Sequence, residues 1–350
     1  MTNAVTELAY LYGKPKSCGD LRSCVDDFKV YEILPFEPGG EGEHLIIHIR
    51  KTGANTLFVA RQLAKYFKVK DALVSYAGLK DRNAVTEQFF GIHLPGKTEY
   101  DLSDLNIEGV EVLSYKRHNK KLKTGALIGN RFELMLRNID DIEDIKQRWN
   151  KILSSGVPNY FGEQRFGQQG NNLTAASELF NGKKVKDKKK RGFYLSAARS
   201  FLFNQFVSER IESEHFCSSM NGDVYMLSGS RSIFSQDEVD EAITKRLAEK
   251  DISITAPLWG SGDIATSNQA LNFEQDLASN YNEFCQGLAK FGLKQERRSI
   301  SLFLESGQLE VIDDAIKLSF FLPAGCYATT ILRELLQYTD ISQSHIEPNN

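Results

Sequence analysis

Turn-forming residues crowd into one stretch of this 350-residue chain, Gly156-Val157-Pro158-Asn159-Tyr160-Phe161-Gly162, and continue through Gly167, Gly170 and Asn171. Such chemistry suits a boundary between folded units, and the length already exceeds the roughly 100–200 residues of one domain. Upstream of the break the chain is strand-rich. Residues 27–34 and 44–50 read as strands, the second with Leu45, Ile47 and Ile49 alternating against His44, His48 and Arg50. A helix follows, capped by Asn55 or Thr56, with Leu57, Ala60, Leu63, Ala64 and Phe67 at helical spacing. Strand-like runs recur at 72–77, 88–94, 110–116 and 131–137, and a helix is expected over 141–154. Downstream the texture changes to a long helical stretch around 195–212, a basic run, and glycine-containing segments at 222–231 and 256–262. At the C-terminal end Ile316, Leu318 and Phe320 alternate again, Leu322-Pro323-Ala324-Gly325 breaks the strand, and a helix carries Ile331, Leu332, Leu335 and Tyr338. This tail resembles the first unit in texture, as an inserted middle domain would require.

Hydrophobic residues at 41% and charged residues at 25% sit near the averages of globular proteins, which excludes disordered, collagenous and membrane classes. The first fifteen residues have neither a basic nor an apolar leader segment, and no run approaches about 18 apolar residues, so a cytoplasmic protein is expected. Five scattered cysteines show no metal or redox spacing and read as reduced packing residues. The net charge of −3 does not suit a nonspecific coater of nucleic acid. RNA contacts would have to come from local patches, and Lys116–Lys123 and Lys183–Arg191 are the candidates; taken in isolation, either reads more readily as solvated surface.

The chain has no phosphate-binding P-loop, no dinucleotide fingerprint after a strand and no nucleophile elbow. What remains is the polar segment Tyr76-Ala77-Gly78-Leu79-Lys80-Asp81-Arg82-Asn83-Ala84-Val85-Thr86-Glu87-Gln88. Lys80 and Arg82 would favour an ionised Asp81 if the fold brings their charges near it, and such a carboxylate can act as nucleophile or base. Taken alone, the tripeptide reads more readily as a charged connecting loop whose Asp caps a helix or turn. His44, His48, His93 and His118 read as residues on strand faces rather than metal ligands.

Seven segments stand in order along the chain: Asp27-Phe28-x-Val30-x-Glu32, Gly42-Glu43-His44, Gly78-Leu79-Lys80-Asp81-Arg82-x-Ala84-Val85-Thr86-x-Gln88 and Lys121-Leu122-x-x-Gly125-x-x-x-Gly129-Asn130-x-Phe132, then Gly156-Val157-Pro158-Asn159-Tyr160-Phe161-Gly162-x-Gln164-Arg165-Phe166-Gly167, Leu195-Ser196-Ala197-Ala198-Arg199-Ser200 with Phe203-Asn204, and Leu322-Pro323-Ala324-Gly325-x-Tyr327-Ala328-Thr329. Together, over nearly the whole chain, they resemble the TruD family of tRNA pseudouridine synthases. The resemblance implies an α/β (α+β) fold: a discontinuous pseudouridine synthase domain, 1–155 and 304–350, with a mixed, largely antiparallel sheet, and an inserted α/β domain over 156–303. It implies isomerisation of uridine 13 of tRNA, typically tRNA-Glu, by a monomer without cofactor or metal, with neither DNA nor membrane as partner. The family's invariant aspartate falls on Asp81, its uridine-binding positions on Phe28, Asn130 and Tyr327, and its stacking position on Phe132. Arg22 stands where some members carry Lys, and Lys80 adjoins the aspartate on the substrate side.

Those residue types suit the reaction. Uridine becomes a C-glycoside by breaking N1–C1′, turning the freed uracil and joining C5 to C1′, without redox change or hydrolysis. One carboxylate can assist, at the sugar or at the ring. A nucleotide flipped out of folded tRNA needs aromatic faces to hold its base and an amide to read its edge. Ordinary core packing is the competing reading for the aromatics, a turn position after Gly129 for Asn130. For the chain as a whole the competing reading is a tRNA-binding or tRNA-folding module that keeps the scaffold without the activity.

Overall fold

The computed structural model describes residues 7–96 and 98–344. The strands, in chain order, are β1 (Cys18–Leu21), β2 (Phe28–Ile33), β3 (His44–Thr52), β4 (Val74–Tyr76), β5 (Val85–His93), β6 (Val110–His118), β7 (Gly129–Arg137), β8 (Val157–Pro158), β9 (Val224–Leu227), β10 (Ile233–Ser235), β11 (Ile252–Leu258), β12 (Glu296–Ser299), β13 (Ser301–Leu302), β14 (Glu305–Ile312), β15 (Ala315–Pro323) and β16 (Gln337–Asp340). The chain forms two compact units. One, the sheet unit, takes Pro15–Leu153, Leu304–Ala328 and the chain from Leu335 onward; the other, the helical unit, takes the segment up to Lys14, Ser154–Phe303 and Thr329–Glu334.

The sheet unit is built on strands in the order β14-β15-β7-β2-β5-β3-β6, with β1 and β16 joined beside β7 and β4 beside β5. β2 runs parallel to β5 and β1 parallel to β16, while the other pairs are antiparallel. The fold is therefore mixed α/β with a largely antiparallel sheet. Side chains alternate across each strand, so register decides which residues share a face. β7 places Asn130, Phe132 and Leu134 opposite Glu32, Val30 and Phe28 of β2 and opposite Leu322, Phe320 and Leu318 of β15. β3 sets Ile49 and Lys51 against Gln88 and Thr86 of β5. Next to this sheet Val59, Ala60, Leu63 and Ala64 of the helix Thr56–Tyr66 bury against Leu45, Ile47, Ile49, Phe90 and Ile92. Asn55 caps that helix, its side chain accepting from Leu57 N at 2.8 Å, as the spacing predicts.

The helical unit centres on the 25-residue helix Lys188–Glu212, whose Phe201, Leu202, Phe203, Phe206 and Val207 are buried among Phe166, Leu173, Tyr225, Ile254 and Leu288. Beside it stands the sheet β10-β9-β11-β12, and β8 pairs with β13. No helix among the described residues is long and apolar enough to cross a membrane.

Strand ends shift by up to three residues from the sequence reading, β5 beginning at Val85 rather than 88, and three further differences stand out. The central helix begins at Lys188 rather than 195, because Asp187 accepts from Lys189 N and Lys190 N and so caps it within the basic run. Tyr338 leaves the last long helix, Ala328–Leu335, and lies in β16, paired with Gly19 of β1. Asn130 belongs to β7 rather than to a turn. Its predecessor must be glycine: a Cβ on Gly129 would meet Leu322 O at 2.2 Å and the Phe321 ring at 2.5 Å.

Candidate active site

Register gathers polar side chains onto a face that is otherwise apolar. Asn130, Glu32, Gln88, Thr86 and Lys51 sit in two neighbouring rows across β7, β2, β5 and β3. Of these, Glu32, Gln88, Thr86 and Lys51 are buried. Burying polar groups on a sheet face is costly without partners, and here most of the partners come from the 77–84 connection between β4 and β5. Three consecutive residues of that connection are pinned: Lys80 N donates to Thr56 Oγ1 at 3.1 Å, Asp81 O accepts from Lys51 Nζ at 2.7 Å, and Arg82 Nε donates to Gly53 O at 3.1 Å. Thr56 in turn donates to Gln88 Oε1 at 3.0 Å. With its backbone held on both sides, Asp81 keeps a side chain that is 49% exposed.

The partner of that carboxylate is Arg22, whose Nη2 lies 3.0 Å from Asp81 Oδ2 while Nη1 lies 2.5 Å from Asp340 Oδ2. Arg22 follows β1 with a left-handed backbone, φ 58°, which an L residue adopts only at some cost in strain. Its guanidinium carbon also stands 4.0 Å from the centroid of the Phe28 ring, a cation–π contact. One planar group thus meets two carboxylates and an aromatic face.

Lys80 turns away from Asp81. Its Nζ is 2.8 Å from Glu32 Oε1 and donates to Asn130 Oδ1 at 2.8 Å, while Glu32 Oε2 accepts from Phe89 N at 3.0 Å. Lys51 is fully buried, and burial pulls its ammonium down to about 8, with the Asp81 carboxylate opposing that effect and the Lys80 charge adding to it.

Phe28 and Phe132 meet edge to face at 6.3 Å, and Phe132 stacks on Phe320 at 5.5 Å. Phe28 and Phe132 are both buried, so they wall the site rather than stand free in it, and one face of Phe28 is taken by Arg22. Tyr327 is half-buried on the turn that follows β15, whose end lies beside Gly129 and Asn130. The structure thus joins Arg22, Phe28, Asp81 and Phe132 through one set of contacts and Lys80 and Asn130 through another; Tyr327 lies four residues beyond the end of β15.

The histidines lie on strand faces: His48 stacks on Phe89, His118 on Phe36, and His44 packs near His93. Among the described residues no group of three or more His, Cys, Asp or Glu could hold a metal. In the first basic segment Arg117 is consumed internally, donating to the carbonyls of Gly42, Leu94 and Thr98, while Lys116, Lys120, Lys121 and Lys123 are exposed. In the second, Lys183 pairs with Glu178, and Lys188, Lys189 and Lys190 are exposed on the first helical turn.

Lys51, Glu32 and Asp340 are the participants that the sequence reading did not assign. Two carried a signal. Lys51 continues the buried phase of Leu45, Ile47 and Ile49, and Glu32 that of Phe28 and Val30, so a charge stands where alternation calls for an apolar residue.

Comparison with known proteins gives the family of the chain. The family model described as tRNA pseudouridine synthase D (TruD) matches residues 5–186 and 183–335. A tRNA pseudouridine synthase D of Colwellia psychrerythraea is 62% identical over 96% of this chain and 94% of its own length, and one of Shewanella oneidensis is 50% identical over 97% and 91%. The crystal structure of a Methanosarcina mazei protein described as a candidate TruD superposes with a TM-score of 0.71 over 94% of this chain and 95% of that one; at 23% identity it speaks for the fold. Matched along nearly its whole length by the family model and by relatives of such identity, the chain belongs to the tRNA pseudouridine synthase D family.

Proposed function

We propose that this chain converts uridine 13 of tRNA, typically tRNA-Glu, to pseudouridine, with Asp81 as the essential group. Membership of the family makes it a tRNA pseudouridine synthase, an isomerase. The observation that supports the role of Asp81 is a half-exposed carboxylate on an immobilised backbone, 3.0 Å from a guanidinium that packs on Phe28; position 13 follows from the resemblance to the family. Asp81 then acts by attacking or deprotonating the sugar, or by adding to the uracil ring. Either route needs one positioned carboxylate, and Arg22 Nη2 at 3.0 Å holds it in place.

In this reading a flipped uridine enters beside Asp81, with Phe28, Phe132 and Tyr327 bounding the base and Asn130 reading its edge. The freed uracil must turn without escaping, so close walls matter as much as the carboxylate. The reaction proceeds in the cytoplasm, in a monomer and without a cofactor. Single-turnover assays on tRNA, with a pseudouridine-specific label read at each position, test it. Asp81→Asn should abolish product at position 13 while tRNA affinity stays nearly intact. Substantial turnover by that variant removes Asp81 from its role, and product at another position removes the site assignment.

A further inference from the structure

We infer that Lys80, anchored by Glu32, is a positioning residue that fixes the side-chain amide of Asn130 so that only its N–H donors face the substrate, and that Asn130 therefore reads a carbonyl oxygen of the flipped uracil rather than its N3–H. The inference rests on the function proposed above and deepens it.

An ammonium has three donors and no acceptor. The atom of Asn130 that lies 2.8 Å from Lys80 Nζ must therefore be the amide oxygen, whichever way an amide could otherwise be turned. Lys80 itself cannot swing away cheaply. Its side chain is 9% exposed and Nζ is 2.8 Å from Glu32 Oε1, and Glu32, fully enclosed, is held in turn by Phe89 N at 3.0 Å. Parting this ion pair would leave a buried carboxylate without its counter-charge, the costliest arrangement available to it. Strand pairing supports the same geometry, since Glu32 lies directly opposite Asn130 in the β2–β7 register. Among the described residues no acceptor takes the Nδ2 hydrogens of Asn130, which is half-buried and so can be reached by a ligand. With Oδ1 engaged, Asn130 has donors left to offer. Uracil presents two carbonyl acceptors flanking one N–H donor, so only the carbonyls match.

The chain Glu32–Lys80–Asn130 thus explains why a lysine beside Asp81 points away from it: its charge sets a hydrogen-bond polarity. A merely structural lysine would affect stability without affecting which atoms of the base are read.

The test is a double-mutant cycle in kcat/KM on the tRNA substrate. Lys80→Met and Asn130→Ala should each cost about 10- to 100-fold, and the double variant little more than either alone, because both remove one interaction. Since Lys80→Met strands Glu32 and can weaken the fold, Asn130→Asp provides a second arm. It keeps the shape and the contact to Lys80 yet has no N–H, and should lose at least about 30-fold, the order of a site deprived of a required hydrogen bond. Replacing O2 or O4 of the target base by sulfur, a weaker acceptor, should slow the wild type at one of the two positions and have no effect on Asn130→Ala. Additive costs in the cycle, an active Asn130→Asp, or indifference to both thio substitutions overturns the inference while pseudouridine is still being formed. Failure of the wild type to form pseudouridine on any tRNA would instead overturn the functional proposal.

Discussion

Arg22 Nη2 stands 3.0 Å from Asp81 Oδ2 across 59 residues of sequence, and the same guanidinium reaches Asp340 with its other nitrogen at 2.5 Å. A planar fork presents separate nitrogens to two carboxylates in a fixed geometry, whereas an ammonium offers all its donors from a single nitrogen. Arg22 does this from a left-handed backbone, φ 58°, just after β1.

Arg22→Met should lower the single-turnover rate at saturating tRNA by about 30- to 100-fold, the size of one charged hydrogen bond removed. Arg22→Lys should stay within about tenfold of wild type, since the charge beside Asp81 survives and only the link to Asp340 is lost. Equal rates for Arg22→Met and wild type would show that Asp81 needs no cationic neighbour.

Lys51 gives a pH signature. Its folded value of about 8 lies below the ordinary 10.5, burial being the main cause. Between those limits the unfolded chain holds a proton that the folded chain has released, so stability rises with pH in that window. Below about pH 8 both states are protonated and the buried ammonium exerts its full cost. Relative to Lys51→Met, the wild type should therefore gain stability from pH 8 to pH 10, read as urea midpoints on both proteins. Lys51→Met should also leave Asp81 O without its donor and slow turnover by about tenfold with tRNA affinity unchanged, because the 77–84 connection loses one of its three pins. A pH-independent difference between the two proteins would mean that Lys51 is not perturbed.

Much of this site can be read along the chain, and what cannot be read has a common cause. Asp81 is visible from its motif, and Asn130 and Phe132 from theirs, because each lies in a short contiguous segment. The helix start at Asn55 and the alternation in β3 and β7 are local effects of capping and pleat, and both appear as expected. Asp340 has no such local mark. It reaches Arg22 through the parallel pairing of β1 with β16, Leu21 beside Asp340, a contact between opposite ends of the sequence that leaves no periodicity in either segment. Lys51 and Glu32 lie between these cases: their phase in the strand marks them as buried, but only the fold reveals that one faces the carbonyl of Asp81 and the other the ammonium of Lys80. The basic run at 183–191 was legible as charge. Asp187 makes part of it a helix.

That charge bears on how a chain of net charge −3 holds an anionic substrate. In the sheet unit, Lys120, Lys121 and Lys123 lie exposed after β6, and Leu122 among them is fully buried, which tethers the segment to the core while leaving its charges in solvent. In the helical unit, Lys188, Lys189 and Lys190 occupy the first turn of the longest helix, where the helix dipole disfavours cations. Three lysines at the positive end of a helix are set against its dipole, and a polyanion docked there would offset that repulsion. Each phosphate neutralised releases counterions, and affinity then falls with salt in proportion to the contacts made. Neutralising either trio should weaken tRNA binding and flatten the plot of log affinity against log salt by up to about 2 units of slope. The single-turnover rate at saturating tRNA should change little, since these groups hold the backbone and Asp81 does the chemistry. Arg117, which is spent on the carbonyls of Gly42, Leu94 and Thr98, should behave differently, its replacement lowering stability instead of the salt slope. Filter-binding titrations across a salt series decide: unchanged slopes in both triple variants would assign these lysines to solvent and put the RNA path elsewhere on the protein.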